Sequence, residues 1–170
     1  VQTCALPISG KASVLATANT VAGGYSVTAA IGAVNTTFSL TNTAGAAATM
    51  TITGGNNQST PFGTAFAASL EVTLTDSFSN PVSGVLVTFT APVSGASATF
   101  TPANGEDTTD AAGKASVVAT ANGTAGAYSV GAAAGALNSS VARRDGYGGP
   151  PVRGFRGGKN QSATVNTAFA

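Results

Sequence analysis

Gly10-Lys-Ala-Ser-Val-Leu-Ala-Thr-Ala-Asn19 returns, with one change, as Gly113-Lys-Ala-Ser-Val-Val-Ala-Thr-Ala-Asn122, 103 residues later. Working outward, residues 10–35 and 113–138 are identical at 19 of 26 positions. At the same offset Gly54-Gly-Asn-Asn-Gln-Ser59 matches Gly157-Gly-Lys-Asn-Gln-Ser162, and Thr64-Ala-Phe-Ala67 matches Thr167-Ala-Phe-Ala170. Two separated matches at one offset mark a true internal repeat. A period near 100 residues is too long for a solenoid unit and suits one sandwich of two β-sheets. The phase divides the chain into the C-terminal part of one repeat (9–45), a complete repeat (46–141) and the start of a third (157–170).

Composition agrees with an all-β chain. The hydrophobic fraction is 43% and the charged fraction 8%, which argues against disorder, and a net charge of +1 gives no field for nucleic acid or a membrane surface. Short β-branched runs are separated by Gly, Asn and Pro, the punctuation of strands and turns. Ala48–Thr53 alternates and reads as a first strand. Leu70, Val72 and Leu74 alternate with Glu71, Thr73 and Thr75, and Asp76–Pro81 supplies turn chemistry. Val85, Val87 and Phe89 share a face. Ala98–Phe100 is a short strand, and Pro102–Asp110 reads as a polar connection. Ala115, Val117 and Ala119 form one face after the Asp110–Gly113 turn. Tyr128, Val130 and Ala132 alternate next, and Leu137–Val141 closes the repeat. Tyr128, two residues before the core position Val130, fits a tyrosine corner, with a surface-exposed binding Tyr as the alternative, and Tyr25 and Val27 repeat that arrangement.

Taken together, Leu70-Glu-Val-Thr-Leu-Thr-Asp76, Asn80-Pro-Val-Ser-Gly-Val-Leu-Val-Thr-Phe89, Thr109-Asp-Ala-Ala-Gly-Lys-Ala115 and Ala125-Gly-Ala-Tyr128 resemble the bacterial immunoglobulin-like repeats of the invasin and intimin type (Big-1-like). The resemblance covers 46–141 in full and the flanking repeats in part. It implies an immunoglobulin-like antiparallel β-sandwich in tandem copies, with no active site and no cofactor. It further implies an extended rod that spaces a binding head from the cell. Its partners would be the neighbouring repeats, with any host or surface ligand bound through other domains. The implied location is extracellular or on the bacterial surface, associated with the outer membrane.

Two segments depart from the repeat. Val1-Gln-Thr-Cys-Ala-Leu-Pro-Ile8 looks like a translated sequencing adapter, which would deprive Cys4, the chain's one cysteine, of redox meaning; an ordinary linker is the alternative. Residues 142–156 hold Arg143, Arg144, Arg153 and Arg156, and with Lys159 this region has five of the seven basic residues. Three readings apply: a local frameshift later restored, a flexible linker, or an Arg/Gly-rich nucleic-acid segment in which Tyr147 or Phe155 stacks on bases. The intact repeat on both sides favours the frameshift, so no nucleic-acid partner is expected.

Catalytic chemistry finds little to work with. The chain has no His, which removes the common triads, and with Cys4 discounted no zinc set remains. Lys114 and Ser116 share a strand face, but it is the face opposite Ala115, Val117 and Ala119, where no pocket would desolvate the lysine. Glu106, Asp107 and Asp110 are oxygen donors suited to calcium without any EF-hand spacing, and we expect them to be solvated. No stretch reaches the roughly 18 apolar residues of a membrane span, and no direct membrane insertion is expected. What the resemblance implies is a structural spacer of a large secreted or surface-anchored bacterial adhesin-like protein and not an enzyme. The alternative is an accessory module of a secreted polysaccharide-acting enzyme, which would call for exposed aromatics in a chain without Trp.

Overall fold

The computed structural model describes residues 10–146, the last four by their backbone alone. Residues 1–8, with Cys4, and 157–170 lie outside the described residues, as does 147–156 of the Arg/Gly-rich segment. Eleven strands and no helix occur among the described residues: β1 Gly23–Ile31, β2 Val34–Asn42, β3 Thr49–Gly54, β4 Gln58–Pro61, β5 Leu70–Thr75, β6 Leu86–Thr90, β7 Ala98–Thr101, β8 Glu106–Thr108, β9 Lys114–Ala121, β10 Gly126–Ala134 and β11 Leu137–Gly146.

Strands β3 to β11 make two sheets, ordered β3-β5-β9-β7 and β4-β11-β10-β6-β8. The first has the A-B-E-D order of an immunoglobulin sheet, and β6, β10 and β11 form the C-F-G set of the other. The fold is an all-β, immunoglobulin-like sandwich. Its pairings are antiparallel except for β4 beside β11, where Gln58 to Pro61 run parallel to Arg143 to Gly146. Alternation decides which side of each strand is dry. Leu70, Val72 and Leu74 of β5, beside Val117 and Ala119 of β9 in the same sheet, share one buried core with Val130 and Ala132 of β10, Val87 and Phe89 of β6, and Val141 of the other sheet. Burying such side chains contributes about 25 cal/mol per Å² of apolar surface removed from water. The many alanines in that core hold each single contribution near the low end.

Three elements escape the period-2 reading. β8 falls in the Pro102–Asp110 stretch expected as connection, yet it pairs Glu106 with Thr88 and Thr108 with Leu86 along the edge of β6, while β4, for which the residue pattern carried no expectation, pairs with β11. Phe66, in the loop before β5, is buried and donates its backbone N–H to Ala119 O at 2.9 Å. The last strand, expected to end at Val141, continues to Gly146 in register with β10, Asp145 opposite Gly126. The first four residues of the Arg-rich stretch from Arg143 on therefore lie within β11.

Strands β1 and β2 form a separate two-stranded sheet. They join through Gly32-Ala33, and β10 and β11 through Gly135-Ala136. Each turn opens on a glycine at φ 59°, a conformation glycine adopts without a Cβ clash. The hairpins are counterparts at the 103-residue offset. Residues 11–18, the counterpart of β9 and identical to it at seven of eight positions, form no strand and are exposed throughout.

Candidate functional site

The loop after β5 is built around Asp76, a buried carboxylate. Oδ1 accepts the backbone N–H groups of Phe78 and Asn80, both at 2.9 Å. Oδ2 accepts the side-chain amide of Asn80 and the backbone N–H of Gly45, again at 2.9 Å. Four donors on one carboxylate favour its charged form. The Asn80 amide and the Gly45 N–H lead in holding the Asp76 pKa at about 2, against the opposing effect of burial. These bonds fix a turn in which Ser79 takes φ 66° and donates its N–H to Asp76 O at 3.1 Å.

The turn presents the other end of Asn80 to the preceding repeat. Asn80 Oδ1 accepts the N–H of Ala22 at 2.9 Å, and Asn80 Nδ2 donates to Thr20 O at 2.8 Å. A single amide thus makes a donor-acceptor pair with the backbone just before β1. The receiving segment is held in turn by Asn19, whose Oδ1 accepts from Val21 N at 3.0 Å and from Asn42 Nδ2 at 2.9 Å. Asn42 Nδ2 also donates to Val21 O at 3.1 Å, tying the end of β2 to the same stretch. The arrangement joins 19–22, 42–45 and 76–80 without any sheet pairing. Chemically it is a clamp between two stretches of chain. Its polar groups are mutually satisfied.

The residues singled out from sequence fall elsewhere. Tyr128 and Val130 are buried in the core, whereas their counterparts Tyr25 and Val27 are exposed and half-buried on the separate hairpin. The acidic group is occupied locally. Asp107 Oδ2 accepts Ser116 N–H at 2.7 Å, Asp110 Oδ1 accepts the N–H groups of Ala112 and Lys114, and Glu106 Oε2 accepts Asn104 Nδ2. Among the described residues no three His, Cys, Asp or Glu side chains gather as a metal site. Lys114 Nζ lies 2.9 Å from Glu71 Oε1 on the outer face. Its hydrogen bond to Glu71 raises its pKa, the direction opposite to that needed for a general base. Sequence reasoning read Asp76–Pro81 as a turn and missed Asn80 as the clamp. The Asp76-x-x-x-Asn80 spacing was the available signal; its partners lie about 60 residues earlier.

No protein-family model matches the chain, and no curated protein matches it. Among solved structures it is similar to surface-layer protein SbsC. Domains 4–9 of that protein align at 21% identity over 76% of this chain and 19% of that one, with TM-score 0.48. Domains 1–6 align at 20% over 76% and 17%, with TM-score 0.49. Domains 4 and 5 align at 20% over 73% and 58%, with TM-score 0.44. The chain spans less than two thirds of each of these proteins.

Proposed function

We propose that the chain is a structural spacer from a tandem array of bacterial immunoglobulin-like repeats of the invasin and intimin type, in a secreted or surface-anchored adhesin-like protein. In this reading it performs no catalysis, and its partners are the repeats on either side. One observation carries the proposal: the Asn80 amide is anchored on Asp76 in one repeat and bonded to Thr20 and Ala22 of the repeat before it. A spacer transmits length only if successive units keep a fixed angle. Two bonds from a preorganised side chain do that at small entropic cost, because Asn80 is already held.

Residual dipolar couplings on the full chain test this. The 23–42 hairpin and the β3–β11 sandwich should share one alignment tensor in the wild type. In Asn80→Ala the tensors should separate while the sandwich stays folded. Independent tensors in the wild type would defeat the rod reading. Location is tested separately: an antibody against residues 46–141 should label unpermeabilised cells of the source bacterium.

A further inference from the structure

The two sheets of the sandwich end on four edge strands, and three of them are guarded. β8 carries Glu106 and Asp107, and Asp107 accepts Ser116 N–H at 2.7 Å, closing that side. β4 is overlaid by the loop that follows it, through the Gln58 side chain bonded to Ala68 N–H at 2.7 Å and Ala68 O at 2.9 Å. β7 has four residues and runs into Pro102. Charge, cover, brevity and proline are the ordinary means of blunting an edge. β3 has none of them. It spans six residues without Pro, and residues 12–70 contain no Asp, Glu, Lys or Arg. Its register against β5 is unbroken from Thr49 to Ile52 and shifts only between Ile52 and Gly54.

We infer that β3 is a docking edge for β3 of a second copy of this chain, paired antiparallel about Thr51. Leu74 sends its N–H to Gly113 O at 2.8 Å, toward β9. Its neighbour Thr73 therefore turns its own groups toward β3, where it stands opposite Thr51. By the same alternation the N–H and C=O of Met50 and Ile52 point off the sheet. Thr49-Met-Thr-Ile-Thr53 has the same alternation read in either direction, so two copies match one another. Met50 of each copy exchanges backbone bonds with Ile52 of the other, and the two Thr51 side chains meet on the outer face. Met50 and Ile52 are half-buried and packed against the core, so their side chains meet apolar neighbours at the seam. Cross-strand Thr–Thr contact is favourable, and no like charges are opposed. A charged peptide would find no counter-ion beside β3, because Glu71 and Lys114 on that face already pair at 2.9 Å. This contact joins chains side by side and is separate from the Asn80 clamp, so Asn80→Ala should leave it unchanged.

The test is sedimentation equilibrium of the full chain across a concentration series, with reductant present so that Cys4 forms no link between chains. The wild type should form a reversible dimer. Amide exchange at Met50 and Ile52 should slow as concentration rises, while Thr49 and Thr51, bonded within the sheet, keep their rates. Thr51→Lys sets like charges directly opposite and should weaken the dimer ~5-fold or more, and Thr51→Glu should do the same. Mixing the two variants should restore association, which also shows that both are folded. A wild type that stays monomeric at every concentration would overturn the inference. So would association undiminished in Thr51→Lys, a mixture no tighter than its components, or slowing confined to residues outside β3, each of which places any contact on another surface.

Discussion

Val14 and Val117 occupy the same place in nearly identical octapeptides, so truncating each to alanine separates the contribution of burial from that of sequence. Val117 is 2% exposed, opposite Leu70, and Val14 is 71% exposed. Val→Ala removes two methyl groups. At about 0.8 kcal/mol each for transfer, with a further term for the cavity left in a close-packed core, Val117→Ala should cost about 2 kcal/mol. For a sandwich of roughly 100 residues that lowers Tm on the order of 10 °C. Val14→Ala should stay within about 0.5 kcal/mol, as exposed substitutions do. The assay is urea unfolding of the full chain, followed by far-ultraviolet circular dichroism and by tyrosine fluorescence, with Tyr128 the reporter inside the core. The midpoint should fall for Val117→Ala with the slope unchanged. Equal costs at the two sites would refute the claim that burial, and not local sequence, separates the two copies.

Two further outcomes follow from the same geometry. The Asp76 pKa is depressed to about 2 in the fold, so the stability this carboxylate contributes is complete above its ordinary value near 3.8. It should be lost as pH falls from about 4 to about 2, and urea midpoints of the wild type should drop more steeply over that window than those of Asp76→Asn. Gly113 sits at φ 74°, where an added Cβ would collide with Leu74 O and crowd Val82 N, while Gly10 has φ 68° and open space. Gly113→Ala should therefore destabilise the sandwich by more than the ~1 kcal/mol of backbone strain alone, and Gly10→Ala should leave its urea midpoint unchanged.

Much of the sandwich is legible because its core strands obey one rule: an apolar residue at every second position. Leu70, Val72 and Leu74 announce β5, and Ala115, Val117 and Ala119 announce β9. The structure buries all six. The rule fails where a strand owes its existence to a neighbour's edge. Glu106-Asp-Thr108 has no apolar alternation at all, and it is a strand because β6 offers unpaired groups along Leu86–Thr88. Phe66 is hidden in a run of turn formers. Its signal was the return of Thr64-Ala-Phe-Ala67 as Thr167-Ala-Phe-Ala170. Recurrence of an aromatic among variable turn residues marks a packing position even where no periodicity does.

The clamp was harder to read for a different reason. Asn80 precedes Pro81, and Asn-Pro is sufficiently explained by a turn. Its other role depends on partners at Thr20 and Ala22, reached only because the chain passes from β2 through Gly45 to the Asp76 loop. Local sequence does not encode such a contact. The same point applies to 11–18, where near-identity to β9 does not make a strand, since β-propensity is realised only against a neighbour. In both cases the deciding partner is remote in sequence. A single repeat therefore specifies its core but not its relation to the next unit. At the Asn80 clamp the contact consists of a few polar groups, and altering Asn80 should change the angle between the 23–42 hairpin and the β3–β11 sandwich while leaving the sandwich folded.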